Sequence, residues 1–178
     1  MESDPNVRAR RGVWWAGLVL AAIYAGFVAY VVTSSAALPA RVATHFNSAG
    51  RANAWMDRSA HVAFMAAAGL GVPLIVVGVM FATRFVSNDF VNLPHKAYWL
   101  EEGRRGETMD YLLRHAIWLG CWIVLLFVAL QYLMIDANAR RPAAVGVPVG
   151  WLIGGFVAGV GAWVGVLAWH FGRGGERR

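Results

Sequence analysis

The sequence predicts an all-α integral membrane protein: four transmembrane helices, with an ordered loop between helices 1 and 2 and a cytoplasmic helical connection between helices 2 and 3. Three observations carry this. Four long runs, at 12–40, 59–83, 116–135 and 142–172, contain no Asp, Glu, Lys or Arg. The chain is 58% hydrophobic and only 15% charged, with a mean hydropathy of +0.50, a balance foreign to soluble domains. The charges that remain sit between the runs, with the basic ones denser on alternate sides. The expected organisation is a tail at 1–11, one membrane domain at 12–172 and a second tail at 173–178. Helices are expected at about 13–34, 60–83, 112–135 and 147–170, with an outer loop at 35–59 and an inner connection at 84–111.

Arg8, Arg10 and Arg11 precede the first run and read as a cytoplasmic anchor. At a rise of about 1.5 Å per residue, 13–33 alone crosses a hydrocarbon core of about 30 Å. The run also exceeds the roughly 7 to 15 apolar residues of a cleaved signal peptide, so a retained helix is expected. Leu38-Pro39 disfavours its continuation. The second helix holds Pro73 near its middle, where the ring removes a backbone hydrogen bond and is read as a packing kink, with a hinge as the alternative.

The connection mixes both signs of charge. Leu100–His115 reads as a helix entering the third span, with Glu101/Arg105 and Asp110/Arg114 at the i,i+4 spacing that favours ion pairs, each worth about 0.3 to 0.5 kcal/mol. Asp136, Asn138, Arg140, Arg141 and Pro142 read as a short outer turn. The fourth helix carries Gly150, Gly154, Gly155, Gly159, Gly161 and Gly165, whose Gly-x-x-x-Gly spacings let backbones approach closely in lipid. Packing inside the bundle is the preferred use, with Ala63, Ala67, Gly71 and Gly78 of helix 2 as the receiving face, and a homodimer through helix 4 is the other. With both termini inside, eleven of the 16 Lys and Arg fall on the cytoplasmic side and five outside.

Charge also narrows the function classes. The net charge of +6 and pI near 10.2 come from residues flanking the apolar runs, not from a basic patch interleaved with aromatics, so membrane lipid is the expected partner and nucleic acid is not. The single cysteine, Cys121, permits no intrachain disulfide and reads as a packing residue. No cofactor motif, catalytic triad or phosphate-cradling loop stands out, and a non-catalytic protein is expected.

The most specific stretch is the outer loop, Leu38-Pro39-Ala40-Arg41-Val42-Ala43-Thr44-His45-Phe46-Asn47-Ser48-Ala49-Gly50-Arg51-Ala52-Asn53-Ala54-Trp55. Alternation from Val42 to Asn47 places Val42, Thr44 and Phe46 on one side of an extended segment and Ala43, His45 and Asn47 on the other. Gly50 suits a positive-φ turn, and Trp55 suits the headgroup level. Through Leu38, Pro39, His45, Phe46, Asn47, Gly50 and Trp55 this run resembles the signature of a bacterial membrane family, domain of unknown function 1648. The resemblance implies an extracytoplasmic loop between the first two helices of an inner-membrane protein. It also implies kinship with membrane proteins that act in immunity or signalling against secreted peptide toxins, although those carry further membrane segments than the four found here.

Two roles fit His45, Phe46, Asn47, Gly50 and Trp55: a surface gripping a peptide or protein ligand, or side chains that tie the loop to the bundle, the second being preferred. A further stretch, Asn92-Leu93-Pro94-His95-Lys96-Ala97-Tyr98-Trp99 with Arg104 and Arg105, resembles a segment recurring in short members of that family. It reads as an interfacial segment laying Tyr98 and Trp99 into headgroups, or as a partner-docking surface. His45 with His61 and Asp57 is the one histidine grouping that suggests metal, with metal-free histidines preferred. Three functions follow in order: a sensing, binding or immunity-like role through the outer loop; a membrane metal-binding protein or metalloenzyme using His45 and His61; and a small subunit of a larger transporter.

Overall fold

The computed structural model describes residues 5–140, 142–146 and 149–173. Four helices are long and apolar enough to cross a membrane, and the chain is a multi-pass membrane protein. Helix α1 (Pro5–Ser34) ends in a single 3-10 turn at Ser35–Ala37, where Leu38-Pro39 turns the chain out of the helix. It begins inside the stretch expected as a tail, because nothing from Asn6 to Gly12 stops a helix and Pro5 fits a helical first turn.

The outer loop is not merely ordered. It is a two-stranded antiparallel sheet, β1 (Arg41–Phe46) and β2 (Ala52–Asp57), an addition to the all-α expectation. Its register pairs Arg41 with Asp57 and Ala43 with Trp55, then shifts around His45, which lies opposite Ala54. The shift breaks the expected alternation, and Val42 and Ala43 are consecutive yet both buried.

Helix α2 (Arg58–Ala82) starts directly from β2 and runs through Pro73, which is buried, with its Cβ side facing Gly120. That surrounding favours the packing role for Pro73. Two 3-10 turns (Thr83–Phe85, Asn88–Phe90) and the short helix α3 (Lys96–Trp99) form the connection. Helix α4 (Arg105–Ala139) is the expected connection helix running without a break into the third span; it starts at Arg105, not Leu100, and continues through Asp136 to Ala139, beyond the expected end at 135. Leu100–Arg104 is turn, not helix, and Asp136 and Asn138 belong to the last turns of α4, not to a loop. Arg141, Val147, Pro148 and the residues 174–178 lie outside the described set, so α5 is given as Val149–Gly172.

The core is a three-helix affair. Helix α4 packs along both α1 and α2, burying Phe27 and Val31 of α1, Met65 of α2 and Ile117, Cys121 and Val124 of α4. Phe27 lies against Gly69, where a Cβ would collide with its ring. A second, smaller cluster at the connection end gathers Val91, Leu100, Met109 and Leu112 around Phe171 of α5.

Helix α5 corrects the expected intrachain use of the glycines. Gly150, Gly154, Gly155, Gly161 and Gly165 have nothing within 4 Å of where a Cβ would stand, and Gly159 alone meets a neighbour, the Trp122 ring. Gly71 and Gly78 on α2 are equally unopposed. The receiving partner of α5 is the aromatic face of α4, whose indole rings are too bulky for backbone-close contact.

Candidate functional site

The hairpin is held on α4 by one side chain. Asn138 accepts a hydrogen bond from the Ala43 N–H at its Oδ1 (2.8 Å) and donates from Nδ2 to the Ala43 carbonyl (3.0 Å), so the amide serves β1 as a neighbouring strand would. All of this is buried, and an unpaired backbone group there would cost about 1 to 3 kcal/mol. Beneath the hairpin lies a second polar clasp. His61 of α2 donates from Nε2 to Gln131 Oε1 (2.9 Å), and Gln131 Nε2 donates to the Ser34 and Ser35 hydroxyls at 3.2 and 3.1 Å. One amide thereby joins α1, α2 and α4. Hydrogen bonds of this kind hold membrane helices together where lipid gives no hydrophobic drive.

The turn explains Asn47 and Gly50. Asn47 Oδ1 accepts from the N–H groups of Ala49 and Arg51, its N–H donates to the Arg51 carbonyl, and its carbonyl accepts from Gly50. Gly50 takes φ +73°, the left-handed geometry that only glycine enters freely. Asn47 and Gly50 are therefore turn-forming, and the ligand-gripping alternative rests on their neighbours. His45 is exposed, with Nδ1 2.5 Å from Asn53 Oδ1 on the facing strand. Phe46 is half-buried and Trp55 half-exposed. The tip is further tied to the chain entering α5: Arg51 bridges Ala144, Ala52 N–H donates to the Ala143 carbonyl and Val145 N–H to Gly50.

Beyond that bridge the edge of β2 carries no strand partner among the described residues. Its last residue, Asp57, pairs with Arg41 of β1 at 3.7 Å, an ion pair between two largely exposed side chains and of little energetic weight. His45 and His61 use ring nitrogens on different partners, Asn53 and Gln131. Among the described residues no three His, Cys, Asp or Glu side chains are grouped to hold a metal ion.

With the hairpin in view, the comparison is direct. Residues 17–70 match the family described as "Domain of unknown function (DUF1648)". Residues 17–70 are a DUF1648 domain. The domain spans most of α1, the whole hairpin and the first half of α2, and leaves α4 and α5 outside the match. No curated protein and no solved structure matches the chain.

The candidates in the connection separate by what they touch. Asn92, Pro94 and His95 are exposed, and His95 caps α3 with φ +53°, a left-handed value uncommon outside glycine. Arg105 is a clamp, donating to Asn88 Oδ1 (2.9 Å) and to the carbonyls of Arg84 (3.1 Å) and Val86 (2.9 Å). Arg104 pairs with Glu101 at 3.2 Å and lies over the Tyr98 ring at 4.0 Å. The expected Glu101/Arg105 and Asp110/Arg114 pairs are thus replaced by Glu101/Arg104 and by Asp110 with Arg84, because α4 begins only at Arg105 and Asp110 faces the end of α2. Trp99 packs on α5: its indole N–H donates to the Phe171 carbonyl (2.9 Å) and its ring stacks on His170 at 5.2 Å.

Sequence reasoning passed over Asn138 as a turn residue and did not consider Gln131 or Asn53. The signal for Gln131 was present: an uncharged but strongly polar side chain inside an apolar span is costly and requires a partner.

Proposed function

We propose that this is a bacterial inner-membrane binding protein, with both termini in the cytoplasm, that presents the DUF1648 hairpin outside the membrane to an extended peptide in a sensing or immunity-like role. The supporting observation is the unpaired edge of β2 beyond Arg51, flanked by exposed His45, Asn53 and Trp55 and fixed to α4 by Asn138. An open strand edge offers a row of backbone donors and acceptors, and strand addition uses these for affinity and alternate side chains for specificity. His45, Asn53 and Trp55 supply the polar and aromatic contacts that would select the peptide. The role proposed here is one of binding, through the backbone groups of the edge and the side chains beside it.

Photo-crosslinking in living cells tests this. Trp55→p-benzoylphenylalanine is expected to give adducts of peptide mass, whereas the same replacement at Tyr132, exposed on the span of α4, gives none. His45→Ala and Trp55→Ala are expected to abolish protection or signalling at unchanged protein level. Crosslinks at neither position, or full activity of both alanine variants, would end the proposal.

A further inference from the structure

At the hairpin end of the bundle α1 and α2 leave a gap between them. Midway along the spans the two helices touch closely: the Tyr24 hydroxyl donates to the Leu70 carbonyl (3.0 Å) and the Phe27 ring lies on Gly69. Nearer the hairpin the gap is lined by Ala36 and Ala63, whose methyl groups are too small to close it, and a groove of about 510 Å³ remains. Val32 of α1 and Val62 of α2 form its apolar walls, and Ser35, Arg58 and Ser59 its polar end. Both spans stop at this level, one at Ala37 and the other beginning at Arg58. The polar end therefore lies where hydrocarbon gives way to the phosphates of a bilayer.

The polar groups gathered there are donors. Arg58 donates through one guanidinium nitrogen to the Leu38 carbonyl (3.1 Å), and the rest of its N–H groups stay available. It has no carboxylate partner among the described residues, because the neighbouring Asp57 is paired with Arg41. Ser35 is only 3% exposed, and its oxygen accepts from Gln131 Nε2 (3.1 Å), which leaves its O–H without an acceptor among the described residues. A buried hydroxyl proton with no acceptor is costly, and this one belongs to a side chain that lines the groove. An unpaired cation and spare hydroxyl protons above apolar walls suit a ligand with anionic oxygens at one end and hydrocarbon at the other.

We propose that this groove binds one phospholipid, its phosphate held by Arg58 and the hydroxyls of Ser35 and Ser59 and an acyl chain running down between Val32 and Val62. A free phosphate ion would satisfy the donors and leave the apolar walls uncovered. The proposal is independent of the role given to the hairpin.

Native mass spectrometry of the detergent-purified full chain tests it, with phosphatidylglycerol and a diacylglycerol of the same acyl chains titrated separately. One phosphatidylglycerol per chain is expected, bound about tenfold or more tightly than the diacylglycerol, the worth of one charge-assisted hydrogen bond. Inorganic phosphate should not displace the lipid. Arg58→Gln should bring phosphatidylglycerol down to the level of the diacylglycerol, and Arg58→Lys, which keeps the charge, should retain most of the preference. Ala63→Phe, which fills the groove, should abolish retention of both; if that variant does not accumulate, the two Arg58 variants decide alone. Equal binding of the two lipids, binding of neither, displacement by inorganic phosphate, or phosphatidylglycerol binding that survives Arg58→Gln or Ala63→Phe overturns the proposal.

Discussion

Asn138 shows how much one side chain can decide. Its amide both accepts from and donates to Ala43, and it also donates to the Met134 carbonyl, so the hairpin's buried strand is completed by a residue of α4. Asn138→Ala strands two buried backbone groups, and the expected loss of stability is about 2 kcal/mol or more, read by denaturant unfolding in micelles. Hydrogen exchange at the Ala43 amide should accelerate in the same variant, while the Ala49 and Arg51 amides, bonded to Asn47, keep their protection. Unchanged exchange at Ala43 would show that β1 needs no help from α4. Gln131 acts similarly for three helices at once, yet neither residue announces its partner. An asparagine near a helix end or a glutamine in an apolar run signals that some buried group must meet it, and only the fold says which.

At the level of elements, the spans were legible because length and absence of charge suffice to define them, and the extended strand followed from Val42–Asn47 with its glycine turn. The pairing of β2 was not, since Ala52–Asp57 contains one Trp, three Ala or Met residues and little β-branching. Nor was the neighbour of each helix, because glycine spacing measures what a helix permits and not what stands opposite. The contrast between Gly69 and Gly161 makes that testable. Gly69→Ala pushes a methyl into the Phe27 ring and is expected to cost about 1 to 3 kcal/mol through overpacking of the core. Gly161→Ala enters open space on α5 and is expected to be neutral or to stabilise the helix by up to about 1 kcal/mol. Thermal unfolding in detergent compares the two, and equal losses would mean that α5 is as tightly packed as α2.

For the whole molecule, the two faces of the membrane carry different chemistry: the hairpin on one, the charged connection with α3 and the start of α4 on the other. The proposed orientation predicts that Ser48→Cys, in a Cys121→Ala background, reacts with impermeant thiol reagents in intact cells, and that a reporter fused after Gly172 stays cytoplasmic. Shielding of Ser48→Cys in a protein that accumulates normally would reverse the orientation. Helix α5 has the weakest lateral support of the four, yet both its ends are tied. The strand tip at Gly50–Ala52 is bonded to residues 143–145, which lead into it, and Trp99 grips the carbonyl of Phe171 at its other end. Anything that displaces the tip must therefore break those bonds or shift the segment that leads into α5, a segment that is itself held to α4 by the Ala144 N–H on the Ala137 carbonyl.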